Sequence, residues 1–302
     1  MITIYGLETL TASWNESTVS IGVFDGVHLG HQAVIRRACE DAKNHQRPCI
    51  VLTFDRHPLS VLRPEHCPPT ILPPDLKIRK IEKLGVDILV IVRFDKEFAS
   101  QSPEQFFENV LRSRLRAGTV VVGHDFAFGK DRTGDVNWLK EKIDTIAVPP
   151  ETYEGQRVSS TNIRKKIAEG DVKGASILLG SPYGISGIVV QGSGLGKELG
   201  IPTLNIVPVV EQILPRYGIY AGYAETSYGK FQAALSIGER PTVGTGFAIE
   251  AHLLDFPPQN LYGHLAVLFF VERLREEEKF LSVDELRMQM QRDIEQVRAV
   301  LR

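Results

Sequence analysis

The spacing of hydrophobic residues differs between the two halves of the chain. In roughly the first 150 residues, short apolar runs rich in β-branched residues alternate with segments in which apolar residues recur at helical spacing. The runs predict strands at 50–53, 88–92, 119–122 and 145–148, with helices between them at 32–43, 75–84 and 103–116. Near-continuous apolar strands that alternate with helices are typical of a parallel sheet covered on both faces, so this half is predicted to be an α/β domain.

The hydrophobic pattern changes at residues 180–184, after two short helices predicted at 161–169 and 171–179. Beyond them, five short strand-like runs are separated by Gly, Pro and Asn, which predicts a small antiparallel β-barrel. One helix follows, with Ser282 and Glu285 as a capping box and an apolar stripe that we expect to pack on the barrel. The sequence therefore predicts two domains, at 1–181 and 182–302.

Composition narrows the class of protein. Of 302 residues, 43% are hydrophobic and 24% are charged, as in ordinary globular proteins. The formal charge is -2 with no basic block, which argues against a nucleic-acid partner. No apolar run approaches the roughly 20 residues that cross a bilayer. The three cysteines lack metal-ligand spacing and no secretory signal is visible, so we expect the cytoplasm and no membrane.

The stretch GVFDGVHLGH, at 22–31, joins a strand to a helix and carries the first candidate chemistry. A helix start offers unpaired N–H donors, and glycines such as Gly22 and Gly30 let the backbone approach an anion. His28 and His31 are three residues apart, so in a first helical turn they share one face. The spacing is neither that of a dinucleotide fingerprint nor that of a P-loop. The stretch predicts a different kind of phosphate site.

Three more polar stretches follow strands or begin a helix: TFDRHP at 53–58, GHDFAFGKDRTGD at 123–135 and VSSTNIRKKI at 158–167. The first stretch is equally compatible with a loop that has no functional role. In the second, the phenylalanines suit either a buried aromatic pair or a flat apolar slot for a ring. In the third, hydroxyls and a guanidinium suit a helix cap, a polyphosphate, or both.

Together these four stretches resemble the conserved segments of the FAD synthetase family of nucleotidyltransferases, and they occur in the family's order. The resemblance implies a Rossmann-like nucleotidyltransferase domain that transfers AMP from ATP to FMN and needs no protein nucleophile. It implies that His28 and His31 contact the ATP phosphates and that Ser160, Thr161 and Arg164 hold the β- and γ-phosphates. It further implies a nucleotide site and a flavin site, formed respectively by Gly22, Phe24, Asp25 and Gly30 and by His57, Asp125, Phe126 and Phe128.

The second half carries its own candidate site. GSGLGKELGIPTLNI, at 192–206, lacks the Ser or Thr of a P-loop after its lysine. Thr203 and Asn205 occupy alternate positions of an extended segment, so their oxygens point the same way and suit Mg²⁺, although they also suit a turn after Pro202. Glu250 begins a strand, where it is either solvent-facing or a general base.

This half resembles riboflavin kinase from end to end, through PTLN, SIGERPTVG, EAHLLDF, LYGH and EEEKFLS. The resemblance implies that Thr203 and Asn205 bind Mg²⁺ with ATP and that Glu250 deprotonates the ribityl 5′-hydroxyl. It also implies a loop over the nucleotide, formed by Gly192, Gly196 and Lys197. Leu204, Lys197 and Ser236 depart from the usual family residues, as does Arg56 in the first half, and none of these departures removes a proposed ligand.

Both halves together resemble the bifunctional riboflavin kinase/FAD synthetase family, which implies Mg²⁺ as cofactor and riboflavin, FMN, FAD and ATP as substrates and products. Two alternatives stay open from the residues: a nucleotidyltransferase with another acceptor, and a flavin-binding regulator that keeps the fold without turnover. A homo-oligomer is also left open.

Overall fold

The computed structural model describes residues 1–192, 194, 196, 199–238, 248–257 and 259–302. Residue contacts divide the chain into two compact units, the first comprising 1–70 and 74–159 and the second 71–73 and 160–302. The two helices predicted at 161–169 and 171–179 group with the second unit. The domain boundary after residue 181 stays a prediction. In the described residues, no helix is both long and apolar enough to span a bilayer.

The first unit is built on a six-stranded sheet in which every neighbouring pair is parallel. Its strands, in chain order, are β1 (Ile2–Tyr5), β2 (Ser17–Ile21), β3 (Cys49–Phe54), β4 (Ile88–Val92), β5 (Ala117–Gly123) and β8 (Asp144–Val148). The spatial order is β1-β4-β3-β2-β5-β8. Two short antiparallel pairs complete the strands of this unit: β6 (Ala127–Phe128) with β7 (Gly134–Asp135), and β9 (Thr152–Tyr153) with β10 (Gln156–Arg157). The order reverses between β2 and β5, and ligands of open parallel sheets bind beyond the carboxyl ends of the strands at such a reversal.

Helices cover this sheet and close two apolar clusters against β2, β3, β4 and β5. They are α1 (Leu29–Asn44), α2 (Leu59–Leu62), α3 (Pro74–Glu82), α4 (Lys96–Ala99), α5 (Pro103–Phe106) and α6 (Val136–Lys140). The capping box that opens α5, Ser102 with Gln105, is present as predicted. The helix predicted at 103–116 is α-helical only in its first turn, and Phe107–Arg114 continues it as a π-helix.

The second unit contains a closed six-stranded barrel in the order β11-β12-β15-β14-β13-β16. Its strands are β11 (Tyr183–Val190), β12 (Leu204–Pro208), β13 (Gly218–Thr226), β14 (Gly229–Gly238), β15 (Ala248–Leu253) and β16 (Leu265–Arg275). Every strand is antiparallel to its neighbours, which confirms the predicted barrel.

The helices of the second unit are α7 (Ser160–Ala168), α8 (Val172–Leu179) and α9 (Val283–Val300). The apolar stripe of α9 packs on the barrel only in part. Val297 is buried, whereas Val283 at the start of the helix is 58% exposed. The intermediate positions line a cleft that the barrel alone leaves open.

Candidate active sites in the two units

The turn between β2 and α1, residues 22–28, lies where the strand order reverses, and we call it the histidine turn. Two of its non-glycine residues have a positive φ, 49° at Phe24 and 41° at Val27. Such left-handed conformations are disfavoured for residues with a Cβ and concentrate at functional sites. Gly26 lies between them at a φ of 83°. The turn is therefore held in a conformation that its own sequence does not favour.

His28 caps α1, because its Nδ1 accepts a hydrogen bond from the backbone N–H of His31 at 3.2 Å. The two imidazoles stack with their centroids 3.6 Å apart, and the ring of Phe24 meets His31 edge-on. The predicted convergence of the histidines on one face is confirmed. His31 Nδ1 is buried and has no hydrogen-bond partner among the described residues. A buried polar atom of this kind is uncommon in proteins and marks a place where a ligand atom would be accommodated.

Two lysines of α3 donate to carbonyl oxygens of the histidine turn, and sequence analysis did not identify them. Lys77 Nζ lies 2.6 Å from the carbonyl oxygen of Val23, and Lys80 Nζ lies 3.2 Å from that of Gly26. The sequence shows the lysines only as polar positions of an amphipathic helix. Their spacing of three residues, which puts both on one helical face, is the signal that was available.

Burial governs the protonation of this cluster. It lowers the pKa of Lys77 to about 8, an effect that the negative charges of Asp25 and Asp55 oppose. It also lowers the pKa of Lys80 to about 7. The pKa of His31 lies well below its ordinary value, first because of burial and then because of the positive charges of His28, Lys77 and Lys80. At neutral pH, His31 is therefore a neutral imidazole, Lys77 is mostly protonated, and Lys80 is close to the midpoint of its titration.

The predicted flavin residues lie beyond β3 and β5, the two strands that flank β2. Thr53, at the end of β3, donates to the same Val23 carbonyl oxygen that Lys77 holds, at 3.1 Å. His57 Nδ1 accepts from the backbone N–H of Leu59 and shapes the loop into α2. The histidine turn and the segments after β3 and β5 thus lie together at the carboxyl ends of three neighbouring strands.

The loop after β5 places its predicted residues in different surroundings. Phe128 is buried and packs on Phe106 and Trp138, as a core residue does. Phe126 stacks on Phe128 and is only partly buried. Asp125 forms an ion pair with Arg157 at 2.5 Å on an exposed part of the surface. Of the two aromatic residues, Phe126 is therefore the more exposed.

Ser160, Thr161 and Arg164 lie in the first two turns of α7. Because α7 begins at Ser160, the two hydroxyl residues are its first residues rather than its cap. The helix belongs to the second unit, where it packs on α8. That these three residues meet the same polyphosphate as the histidines stays a prediction.

In the barrel, Glu250, Thr203 and Asn205 form one cluster. The Thr203 hydroxyl donates to Glu250 Oε2 at 3.2 Å. Asn205 of β12 is directly opposite Glu250 of β15 in the antiparallel register. Asn205 is 9% exposed, and its Oδ1 is buried without a hydrogen-bond partner in the described structure. A hydroxyl, an amide oxygen and a carboxylate are hard donors of the kind that Mg²⁺ prefers.

Gly192 and Gly196, in the segment before β12, pack directly on this cluster. A Cβ built on Gly192 would lie 2.0 Å from Asn205 Nδ2, and one on Gly196 would lie 2.6 Å from the Ile201 carbonyl oxygen and 3.2 Å from Thr203 Oγ1. Glycine is therefore required for the close approach of the loop to Thr203 and Asn205. Lys197, the third residue predicted in this loop, lies outside the described residues.

A cleft of about 460 Å³ opens from this cluster toward α9. Leu286, Met290 and Ile294 of α9 line it together with Glu250 and Thr203. A bidentate ion pair joins β16 to α9, with Arg275 Nε and Nη2 at 2.8 and 2.7 Å from the two carboxylate oxygens of Asp293. The arrangement offers a polar end and an apolar wall within one cleft, which suits a ligand with a ring and a polar tail.

His252 is a further residue of this cleft that sequence analysis missed. Its Nδ1 lies 2.8 Å from the carbonyl oxygen of Pro202, the residue before Thr203. The bond ties β15 to the segment that carries Thr203. Alternation along β15, which puts His252 on the same face as Glu250, was the available signal.

Two family models match the chain in succession. The model for FAD synthetase matches residues 10–162. The model for riboflavin kinase matches residues 179–301.

Relatives match nearly the whole chain. A bifunctional riboflavin kinase/FMN adenylyltransferase of Haemophilus influenzae is 35% identical over 303 residues, covering 98% of each protein. One of Bacillus subtilis is 36% identical over 287 residues, covering 92% of this chain and 90% of the relative. A solved structure of a Streptococcus pneumoniae protein named as a macrolide-efflux protein has a TM-score of 0.90 and 34% identity, and covers 99% of both chains.

Proposed function

The chain belongs to the family of bifunctional riboflavin kinases/FMN adenylyltransferases, and from this premise we propose which of its residues perform each reaction. It phosphorylates riboflavin to FMN with ATP and transfers AMP from a second ATP to FMN, giving FAD and pyrophosphate. The observation that supports this most strongly is the succession of the two family models along one chain. The efflux activity in the name of the Streptococcus pneumoniae protein has no counterpart in these family models.

In the kinase reaction, Glu250 acts as general base. Its carboxylate takes the proton of the ribityl 5′-hydroxyl, whose oxygen attacks the γ-phosphorus of ATP, and ADP leaves with the electrons of the broken bond. The hydroxyl of Thr203, at 3.2 Å, fixes one oxygen of this carboxylate and so orients the base. Leu286, Met290 and Ile294 give the flavin ring an apolar wall, which supports this orientation of riboflavin.

Thr203 Oγ1 and Asn205 Oδ1 would hold Mg²⁺ with the ATP phosphates. The unpaired, buried Asn205 Oδ1 and the hard oxygen donors around it support the fit. The hydroxyl of Thr203 accommodates both partners, because it donates its proton to Glu250 while a lone pair stays available. When bound, Mg²⁺ supplies neutralisation of phosphate charge. Gly192, Gly196 and Lys197 would form the loop over the nucleotide.

In the adenylyl transfer, the phosphate of FMN attacks the α-phosphorus of ATP and pyrophosphate leaves. The nucleophile is already an anion, so the site needs only to position it and to neutralise charge. His28, His31 and the N-terminus of α1 would donate to the phosphates, with Gly22, Phe24, Asp25 and Gly30 around the nucleotide. Arg164, Ser160 and Thr161 would hold the pyrophosphate group, and the flavin would meet His57, Asp125, Phe126 and Phe128.

A chromatographic assay tests this proposal. The purified protein is incubated with riboflavin and Mg-ATP, and riboflavin, FMN and FAD are separated over time. We expect FMN first and FAD after it. Binding of flavin without either product would instead support a flavin-binding regulator, and adenylylation of another phosphate acceptor in preference to FMN would support a different nucleotidyltransferase. The cytoplasmic location and the oligomeric state stay predictions from the sequence.

A further inference from the structure

We propose that Lys77 and Lys80 of α3 are positioning residues for adenylyl transfer, which hold the histidine turn by its carbonyl oxygens and keep positive charge beneath the histidine pair. The inference rests on the proposed roles of His28 and His31. Neither lysine is assigned a contact with substrate, since each acts through the turn.

The hydrogen bonds of the two lysines lie next to the strained positions of the turn. The histidine turn carries two non-glycine residues at positive φ, Phe24 and Val27, and such a conformation persists only where its surroundings impose it. Lys77 holds the carbonyl oxygen of Val23, immediately before Phe24, and Lys80 holds that of Gly26, immediately before Val27. The two lysines thus brace the turn next to each strained residue.

Other side chains hold this turn without carrying charge. Thr53 donates to the Val23 carbonyl oxygen at 3.1 Å, and Gln32 Nε2 donates to that of Val27 at 2.9 Å. Neutral donors are therefore adequate for holding the backbone. Placing two part-buried ammonium groups here has a cost in desolvation, and a polyphosphate above the turn would offset that cost.

The charged groups of this cluster come from the start of α1, from α3, from the histidine turn and from the segment after β3. His28 stacks on His31 from the start of α1, Lys77 and Lys80 face it from α3, and Asp25 in the turn and Asp55 after β3 face Lys77. Burial, and then the positive charges of His28 and the two lysines, lower the pKa of His31 and so keep its ring neutral. A bound polyphosphate then interacts with the lysine charges and with an imidazole N–H, and it does not need a protonated histidine.

The test compares variants that separate the hydrogen bond from the charge. Lys80→Gln keeps a donor for the Gly26 carbonyl oxygen and removes the charge, Lys80→Met removes both, and Lys80→Arg keeps both. Lys77→Met repeats the test at the second site. Lys83→Met, at an exposed lysine just after α3, is the matched control. Each protein is assayed for FAD formation from FMN and for riboflavin phosphorylation, which serves as internal control.

We expect Lys80→Met and Lys77→Met to lower kcat for FAD formation by roughly tenfold to a hundredfold, as a displacement of about 1 Å in the site would. Riboflavin phosphorylation and the Lys83→Met protein stay unchanged, and Lys80→Arg recovers most of the activity. In Lys80→Gln, the pKa of His31 rises because a positive charge is lost. The inflection of the pH profile of kcat/KM for FAD formation that reports the protonation of His31 then moves to higher pH.

Two results would overturn the inference. The first is equal FAD formation by Lys80→Met, Lys77→Met and Lys83→Met. The second is a loss of activity that Lys80→Arg does not recover, together with a pH profile of Lys80→Gln that matches that of the unmodified protein. His31→Ala in the same series keeps this failure separate from failure of the proposed function. If His31→Ala forms FAD normally, the proposed role of the histidines is wrong. If it does not and the lysine variants are fully active, only the lysine inference is wrong. If a methionine variant does not fold, the glutamine variant carries the pH test.

Discussion

The two candidate sites consist of different chemical groups. In the first unit, the site is a strained turn at a helix start, with stacked histidines above and two part-buried lysines behind. In the barrel, the site is a set of oxygen donors on neighbouring strands, with a carboxylate fixed by a hydroxyl at 3.2 Å. The first arrangement supplies cationic and N–H groups, and the second supplies a base and hard ligands.

This difference follows from the nucleophile that each reaction uses. The phosphate of FMN needs no deprotonation, so a site that neutralises and aligns phosphates is sufficient. The 5′-hydroxyl of riboflavin must lose a proton, so the second site needs a positioned base. Substitutions in the two sites should therefore affect the two reactions separately.

The largest effect is expected from Glu250→Gln. The amide cannot accept the hydroxyl proton, so riboflavin phosphorylation should fall by roughly 10²–10⁴-fold, the usual contribution of a general base. FAD formation from added FMN should stay within about twofold of the unmodified protein, because the adenylyl transfer uses no residue of this cluster. Initial rates of the two reactions, measured on one preparation, test both statements.

The complementary change is His28→Asn. Asparagine is a good helix cap and preserves the start of α1, so the loss of the imidazole is isolated from the loss of the cap. FAD formation should fall by roughly 10²–10³-fold, the cost of removing one donor from a charge-stabilising site. Riboflavin phosphorylation is the control. A variant that forms FAD at the normal rate would remove His28 from the proposed chemistry.

Arg164→Ala examines the residue whose place in the adenylyl site stays a prediction. Loss of a guanidinium that holds the leaving pyrophosphate should lower FAD formation by a factor similar to that of His28→Asn. If the substitution instead lowers riboflavin phosphorylation and leaves FAD formation unchanged, Arg164 serves the unit with which α7 is grouped. Steady-state rates of both reactions distinguish the two results.

A smaller effect is expected from Gly192→Ala. The added Cβ would lie 2.0 Å from Asn205 Nδ2, so the amide must shift and carry its unpaired Oδ1 with it. Riboflavin phosphorylation should fall by about tenfold to a hundredfold. The Mg²⁺ concentration that gives half the maximal rate should rise, and a Mg²⁺ titration measures this. An unchanged Mg²⁺ requirement would argue against Asn205 as a ligand.

The smallest effect is expected from Ser102→Ala, which removes the capping box of α5. Its hydroxyl accepts from the Gln105 backbone N–H at 3.2 Å. The first unit should lose about 1 kcal/mol of stability, the usual cost of losing a helix cap. Thermal or urea unfolding measures the change, and both activities at low temperature should be unaffected. A change in either rate would mean that α5 contributes to a site.

The features that sequence analysis predicted well are those with a strong local signal. The strand at Ile88–Val92 is predicted to the residue because it is a continuous β-branched and leucine run. The histidine pair is found from its spacing, and Thr203 and Asn205 are found from their alternate positions on an extended segment. The grouping of these two residues with Glu250 was implied only by the resemblance to riboflavin kinase. The antiparallel barrel follows from the many short strands.

The features that were missed depend on tertiary contacts. Lys77 and Lys80 have the spacing of an ordinary solvated helix face, and only packing of α3 on the histidine turn makes them part of the site. The apolar stripe of α9 has the pattern of a core helix, yet the barrel leaves a cleft along part of it. In the same way, Phe126 and Phe128 are equivalent in the sequence, and only packing on Phe106 and Trp138 buries the second of them.

The central claim is that one chain carries a kinase site and a separate adenylyltransferase site, each of which acts without the other. Mixing the Glu250→Gln and His28→Asn proteins with riboflavin and Mg-ATP tests it most directly. Neither variant alone should accumulate FAD, and the mixture should form FAD, because the kinase site of one protein supplies FMN to the adenylyltransferase site of the other. A mixture of folded variants that forms no FAD would contradict the claim.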